Sequence, residues 1–104
     1  MNSIIQTEHN CFLCGRADWL EKHHIFGASN RKNSEKYGLT VYLCHWCHNE
    51  PPDGVHHNAD NRHRLQKLAQ EKFEEVYPDL DFIKIFGGIT NDSRRLFRIL
   101  AEQV

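Results

Sequence analysis

Two Cys-x-x-Cys knuckles, Cys11–Cys14 and Cys44–Cys47, constrain this chain more than any other feature. Each knuckle turns tightly enough to aim both sulfurs inward, so four thiolates from two knuckles can surround one ion tetrahedrally. The twenty-nine residues between Cys14 and Cys44 exceed the spacing of a compact zinc finger, so the insert must itself be structured. A structural zinc contributes about 10–16 kcal/mol of apparent binding free energy, comparable to the whole stability of a small domain. A thioredoxin-like redox motif opens a helix directly after a strand, and neither knuckle is expected to do so.

With 104 residues there is room for one core only. A composition of 39% hydrophobic and 26% charged residues is that of a folded protein, and no apolar run approaches a membrane span. Residues 1–10 have neither a basic start nor an apolar core, so no secretory signal is expected and a cytoplasmic setting follows, where paired cysteines favour metal over disulfide. The net charge of −1 conceals an uneven spread. Lys22, Arg31, Lys32 and Lys36 make one basic group, and Arg62, Arg64, Lys67 and Lys72 a second; Glu74, Glu75, Asp79 and Asp81 form an acidic patch beyond them. Such runs are either a solvated surface or a basic face around the histidines that suits a phosphate backbone.

Eight histidines are present, and His23, His24, His48, His56 and His57 fall close to the knuckles. A lone histidine is usually surface or satisfied core, but adjacent pairs beside a thiolate cage suggest a second metal site. On a regular strand His23 and His24 point to opposite faces, so a shared site requires the strand to end or twist there.

Residues 1–10 read as a flexible lead-in. Strands are predicted within Trp19–Phe26 and over Thr40–Leu43, the latter with Val41 and Leu43 on one face. The polar stretch 27–34 between them predicts a long exposed loop, and Pro51-Pro52-Asp53-Gly54 a turn. Asp60 can cap a helix carrying Leu65, Leu68, Ala69, Phe73 and Val76 on its apolar face, stopped by Pro78. A short helix over 79–86 ending at Gly87-Gly88 follows, then a last one capped by Ser93 that buries Leu96, Phe97, Ile99, Leu100 and Val104. The order is strand, loop, strand, helix, then accessory helices: an α+β class.

Cys11-Phe12-Leu13-Cys14, His23-His24-Ile25 and Leu43-Cys44-His45-Trp46-Cys47-His48 together resemble the zinc-bearing branch of the HNH endonucleases, and Gly54-Val55-His56 is similar to its phage-type members, including the RecA-dependent nucleases. The resemblance covers residues 11–57. It implies a zinc-stapled ββα-metal core over 11–77 with its helix, and a C-terminal helical extension of the same domain over 78–104. By the same resemblance His24 is the general base. His23, His48 and His56, with His57 as the alternative to His56, bind a catalytic divalent ion, and Cys11, Cys14, Cys44 and Cys47 hold structural zinc. One departure stands out: where the family carries an asparagine that orients the base, this chain has Leu39-Thr40, so either Asn30, Asn33 or Asn49 substitutes from elsewhere or the role is absent.

Phosphodiester hydrolysis needs a base to deprotonate water and a cation to stabilise charge on phosphate and leaving oxygen, and imidazole titrates near neutrality. A ligand set rich in imidazole favours Mn²⁺, Ni²⁺, Co²⁺ or Zn²⁺ over Mg²⁺. DNA is the expected partner, with RNA an alternative. Arg31, Lys32 and Lys36 on the loop, and Arg62 and Arg64 on the helix, are candidates to hold its backbone. The competing reading is a zinc-binding nucleic-acid module without catalysis, in which the histidines are incidental.

Overall fold

Leu20–His24 forms strand β1 and Thr40–Cys44 strand β2 in the computed structural model, which describes residues 2–87. The strands pair antiparallel, from Leu20 opposite Cys44 to His24 opposite Thr40, as a two-stranded sheet. Helix α1 (Arg31–Tyr37) lies between them, and α2 (His45–Asn49), α3 (Ala59–Val76) and α4 (Phe82–Phe86) follow. The fold is a small α+β unit of one hairpin and four α-helices among the described residues. None of those helices is long and apolar enough to cross a membrane. The helix expected after Ser93 lies outside the described residues.

Strand alternation divides the hairpin into two faces. Glu21 and His23 stand opposite Leu43 and Val41 on one face, while Lys22 and His24 stand opposite Tyr42 and Thr40 on the other. Val41 and Leu43 are buried in the core with Leu39, Val55, Leu65, Ala69 and Phe73. Phe26, Phe82 and Phe86 extend that core: Phe82 and Phe86 stack at 4.6 Å, and Phe26 lies 5.1 Å from Phe86.

The stretch expected to be a long exposed loop is instead a 3-10 turn (Ala28–Asn30) running into α1. Its polar residues bond inward rather than to water. Ser34 Oγ accepts from Phe26 N at 3.0 Å and donates to Phe26 O at 2.7 Å, wholly buried. Asn30 and Asn33 donate to the carbonyls of Phe86 and Ile85, tying α1 to α4. Gly38 ends α1 in the left-handed region at φ 74°, where a Cβ would lie 2.6 Å from Asn2 O. The lead-in also makes specific bonds: Ile4 N donates to Gly38 O, and Gln6 Oε1 accepts from Tyr42 N.

Two further expectations on α3 are corrected. Its cap is Asn58, whose side chain accepts from Asn61 N at 3.0 Å, and Asp60 sits inside the first turn. Leu65, Ala69 and Phe73 are buried, whereas Leu68 and Val76 are exposed, because a helix covered on one side buries only a narrow stripe. The helix stops at Val76, two residues before Pro78, and Asp81 caps α4 through the amides of Ile83 and Lys84.

Because Ser34 satisfies both backbone groups of a buried residue, Ser34→Ala leaves a buried donor and acceptor without a partner. The expected loss is about 1–3 kcal/mol, read as a lower denaturant midpoint with unchanged zinc content.

Candidate functional site

The first knuckle is a tight turn: Gly15 N donates to Cys11 O at 2.8 Å, and Cys14 N approaches Cys11 Sγ at 3.5 Å. The second begins at the last residue of β2 and runs through α2. Contrary to expectation, therefore, it does open a helix after a strand. A redox reading still does not follow, because this knuckle faces the other one. The four Sγ atoms lie within 4.8 Å of one another, and Cys14 Sγ is 3.7 Å from Cys44 Sγ. A tetrahedral zinc with Zn–S near 2.3 Å has sulfurs about 3.8 Å apart, so the group can hold one zinc. Burial raises the Cys11 thiol, but backbone N–H groups of Cys44, Cys14 and Leu13 outweigh it and bring the pKa down to about 6. Cys47 moves upward through burial and through its hydrogen bonds to Cys44, Cys11 and Cys14. Cys11, Cys14 and Cys47 compete for negative charge, a competition that one divalent cation relieves.

The same knuckle fixes His48, which follows Cys47 on α2. The chain then turns back at Gly54, where Gly54 N donates to Glu50 O at 2.7 Å. A Cβ there would lie 2.6 Å from Glu50 O and 2.7 Å from Glu50 N, so the turn closes only around glycine. Val55 N and His56 N donate to the carbonyls of Cys47 and His48, laying His56 beside α2. The clamp is completed from α3: Arg62 Nη1 donates to Val55 O at 3.1 Å and Asn61 Nδ2 to Asp53 O at 2.9 Å.

These constraints bring His23, His48 and His56 together, with one ring nitrogen from each within 4.8 Å of the others. His48 Nε2 and His56 Nε2 are 3.0 Å apart. Among the described residues, the buried side-chain nitrogen left without a hydrogen bond is His23 Nε2. An orphaned buried nitrogen aimed among two other imidazoles fits a metal ligand set. Three histidine ligands also leave coordination positions open, unlike the closed thiolate cage. Burial first, then the neighbouring His48 and His56, depresses His23 to about 3, so its lone pair is available at neutral pH. Burial likewise lowers His56. His57, the alternative ligand, is exposed and outside the group.

Glu21, which sequence reasoning did not single out, orients this cluster. Its Oε1 lies 2.8 Å from His48 Nδ1 and accepts from Asn49 Nδ2 at 2.8 Å. A proton on His48 Nδ1 leaves Nε2 as the free lone pair. Hydrogen bonding to His48 holds the Glu21 carboxyl below its ordinary range. The signal was available: Glu21 precedes His23 by two residues and so shares its strand face.

His24 points to the other face, where its Nε2 lies 2.8 Å from Glu35 Oε2. Glu35 also accepts from Lys22 Nζ at 2.8 Å. The Lys22 bond, followed by the His24 bond, pulls Glu35 down to about 2. None of the three candidate asparagines bonds His24: Asn30 and Asn33 are committed to α4, and Asn49 to Glu21. The carboxylate of Glu35 occupies that position instead, from a helix whose existence the sequence did not signal. Arg31, Lys32 and Lys36 are exposed on α1 rather than on a loop, Arg64 is exposed on α3, and Arg62 is half-buried in its bond to Val55. Family models, curated proteins and solved structures give no match to this chain.

Elemental analysis is expected to return one tightly held zinc per chain, and Cys44→Ser to lose both the zinc and the cooperative unfolding transition; a zinc-free protein with an unchanged transition would contradict the cage. A second expectation concerns pH. His23 is depressed from 6.5 to about 3 in the fold, so the unfolded chain binds a proton that the folded one does not. With the histidine site free of metal, stability therefore falls as pH drops from about 6.5 toward 3 and is insensitive to this group above 6.5. Urea titrations across that window should show a shallower slope for His23→Phe than for the parent protein.

Proposed function

We propose that the chain is a metal-dependent endonuclease of the HNH type, with a ββα-metal core, that hydrolyses phosphodiester bonds in DNA. The carrying observation is the open three-histidine cluster of His23, His48 and His56, flanked on the adjoining strand position by a histidine with its own carboxylate partner. The cluster holds a divalent ion, Mn²⁺, Ni²⁺, Co²⁺, Zn²⁺ or Mg²⁺, which when bound supplies Lewis-acid stabilisation at the scissile phosphate and leaving oxygen.

The rest of the chemistry belongs to the chain. His24 gives its Nε2 proton to Glu35 as a hydrogen bond, which leaves Nδ1 as the basic nitrogen. Nδ1 takes the proton from the attacking water as the phosphorus–oxygen 3′ bond breaks, and the departing 3′-oxygen takes a proton from solvent, yielding 5′-phosphate and 3′-hydroxyl ends. Glu35, kept ionised by Lys22, orients that ring. Arg31, Lys32 and Lys36 on α1, with Arg64 on α3, contribute positive charge for the phosphate backbone, and Arg62 adds charge near His56. The four-cysteine cage contributes no chemistry to this reaction; it holds the hairpin and α2 in the arrangement that sets the histidines.

Plasmid cleavage in Mn²⁺, abolished by mild chelation that leaves the circular dichroism spectrum folded, is the primary test, and absence of cleavage with each of these five metals would reduce the protein to a zinc-binding module. His24→Ala is expected to lose about 10²–10⁴ in rate with metal content unchanged. His23→Ala weakens ion affinity instead, so excess Mn²⁺ restores part of its activity. If metal rescued His24→Ala and not His23→Ala, the two roles would be reversed. Glu35→Ala should cost roughly 10–100-fold, lowering kcat rather than raising KM.

A further inference from the structure

The chain contains two tryptophans, and both are exposed: Trp19 at 68% and Trp46 at 46%. Aromatic side chains of this size are ordinarily drawn inward, as Phe26, Phe73, Phe82 and Phe86 are here. The two indoles instead meet edge to face at 6.4 Å over a surface hollow of about 450 Å³, lined also by Leu20, Glu21 and His45. The Arg16 guanidinium lies 4.7 Å from the centre of the Trp46 ring.

Trp19 adopts a φ of 56°, a left-handed conformation that bulky residues rarely take. Its carbonyl is held there by His45 N at 3.0 Å. Strain of this kind persists where surrounding structure enforces it and concentrates at ligand sites. The hollow is also continuous with the histidine cluster. Glu21 joins the two, since it both lines the hollow and bonds His48 Nδ1.

We infer that Trp19 and Trp46 form a stacking platform for the unpaired bases of single-stranded DNA, leading that strand to the histidine site; the second half rests on the nuclease reading above. Indole faces stack on any base, and the sequence-tolerant attraction needs bases that are not already stacked in a duplex. Arg16, paired with Asp18 at 3.3 Å, and His45, paired with Glu50 at 2.7 Å, stand at the rim, where a phosphate backbone would exchange for those exposed carboxylates. The nearby carboxylates are engaged, Asp18 by Arg16, Glu21 by His48 and Glu50 by His45. A protein partner would call for a continuous apolar face of some hundreds of Å², whereas the large apolar groups in this hollow are two indoles and Leu20.

The zinc-loaded protein, without added catalytic metal, is titrated with oligothymidylate and with a closed hairpin duplex. Oligothymidylate is expected to quench the tryptophan fluorescence and the hairpin to leave it nearly unchanged. By anisotropy of a labelled oligothymidylate, Trp19→Ala should weaken binding about tenfold, within the range of one stacked base, and Trp46→Phe by less, since a smaller aromatic ring remains. Trp19 is neither a cage residue nor a histidine ligand, so Trp19→Ala keeps the test valid should the Trp46 variant fold poorly. Unchanged fluorescence, or unchanged affinity in Trp19→Ala, overturns the platform even if the protein cleaves plasmid. Quenching without cleavage under any metal overturns the nuclease reading and leaves the platform standing. Concentration-dependent self-association that blue-shifts the emission would make a second copy the occupant and also overturn the inference.

Discussion

Everything at the site depends on the four cysteines that bring the turn at Cys11–Cys14 against the junction of β2 and α2, a group that can hold one zinc. A two-stranded hairpin is marginal alone, and α2 at five residues is far too short to persist by itself. A zinc held there would tie Cys44 and Cys47 to the first knuckle and fix both at once. His48 is then immobile relative to His23 across the sheet, and the return at Gly54 hangs His56 from the carbonyl of His48. The cage thus acts on the histidines through covalent and hydrogen-bonded continuity, not through its own charge.

The second organising device is a set of polar side chains that work inside the fold. Ser34, Asn30, Asn33, Gln6, Asn58 and Asn61 each bond a backbone group of a distant or capping segment. A chain this small has little apolar surface to bury, and directional bonds to backbone substitute for part of the missing core. They also explain why α1 exists. Its sequence is polar but for Tyr37, yet the two bonds from Ser34, the anchoring to α4 and the packing of Tyr37 against Phe73 give it a fixed place, and from it Glu35 reaches His24.

Electrostatically the two faces of β1 are arranged in opposite ways. On the Glu21–His23 face, burial keeps imidazole neutral and a carboxylate sits behind His48, a combination that attracts a cation. On the Lys22–His24 face, an ionised Glu35 is shared between lysine and histidine, a combination that fixes the orientation of the ring. One side suits a metal and the other a proton acceptor, and adjacent residues of a single strand supply both.

How much of this was legible beforehand follows from the range of each interaction. Spacing along the chain determined the cage, since a Cys-x-x-Cys turn aims its sulfurs whatever surrounds it, and strand alternation determined that His23 and His24 face apart. Hydrophobic alternation located β2, and Pro78 bounded α3. The partners of those histidines belonged to tertiary structure alone. Glu35 reaches His24 across eleven residues, by way of a helix whose polar sequence reads as loop. Selection of His56 over His57 turned on the backbone bond to His48, and the exposure of both tryptophans on the backbone of Trp19 and the packing of α2. Local geometry is encoded in local residues, but a hydrogen bond between distant segments has no sequence signature until the fold brings them together.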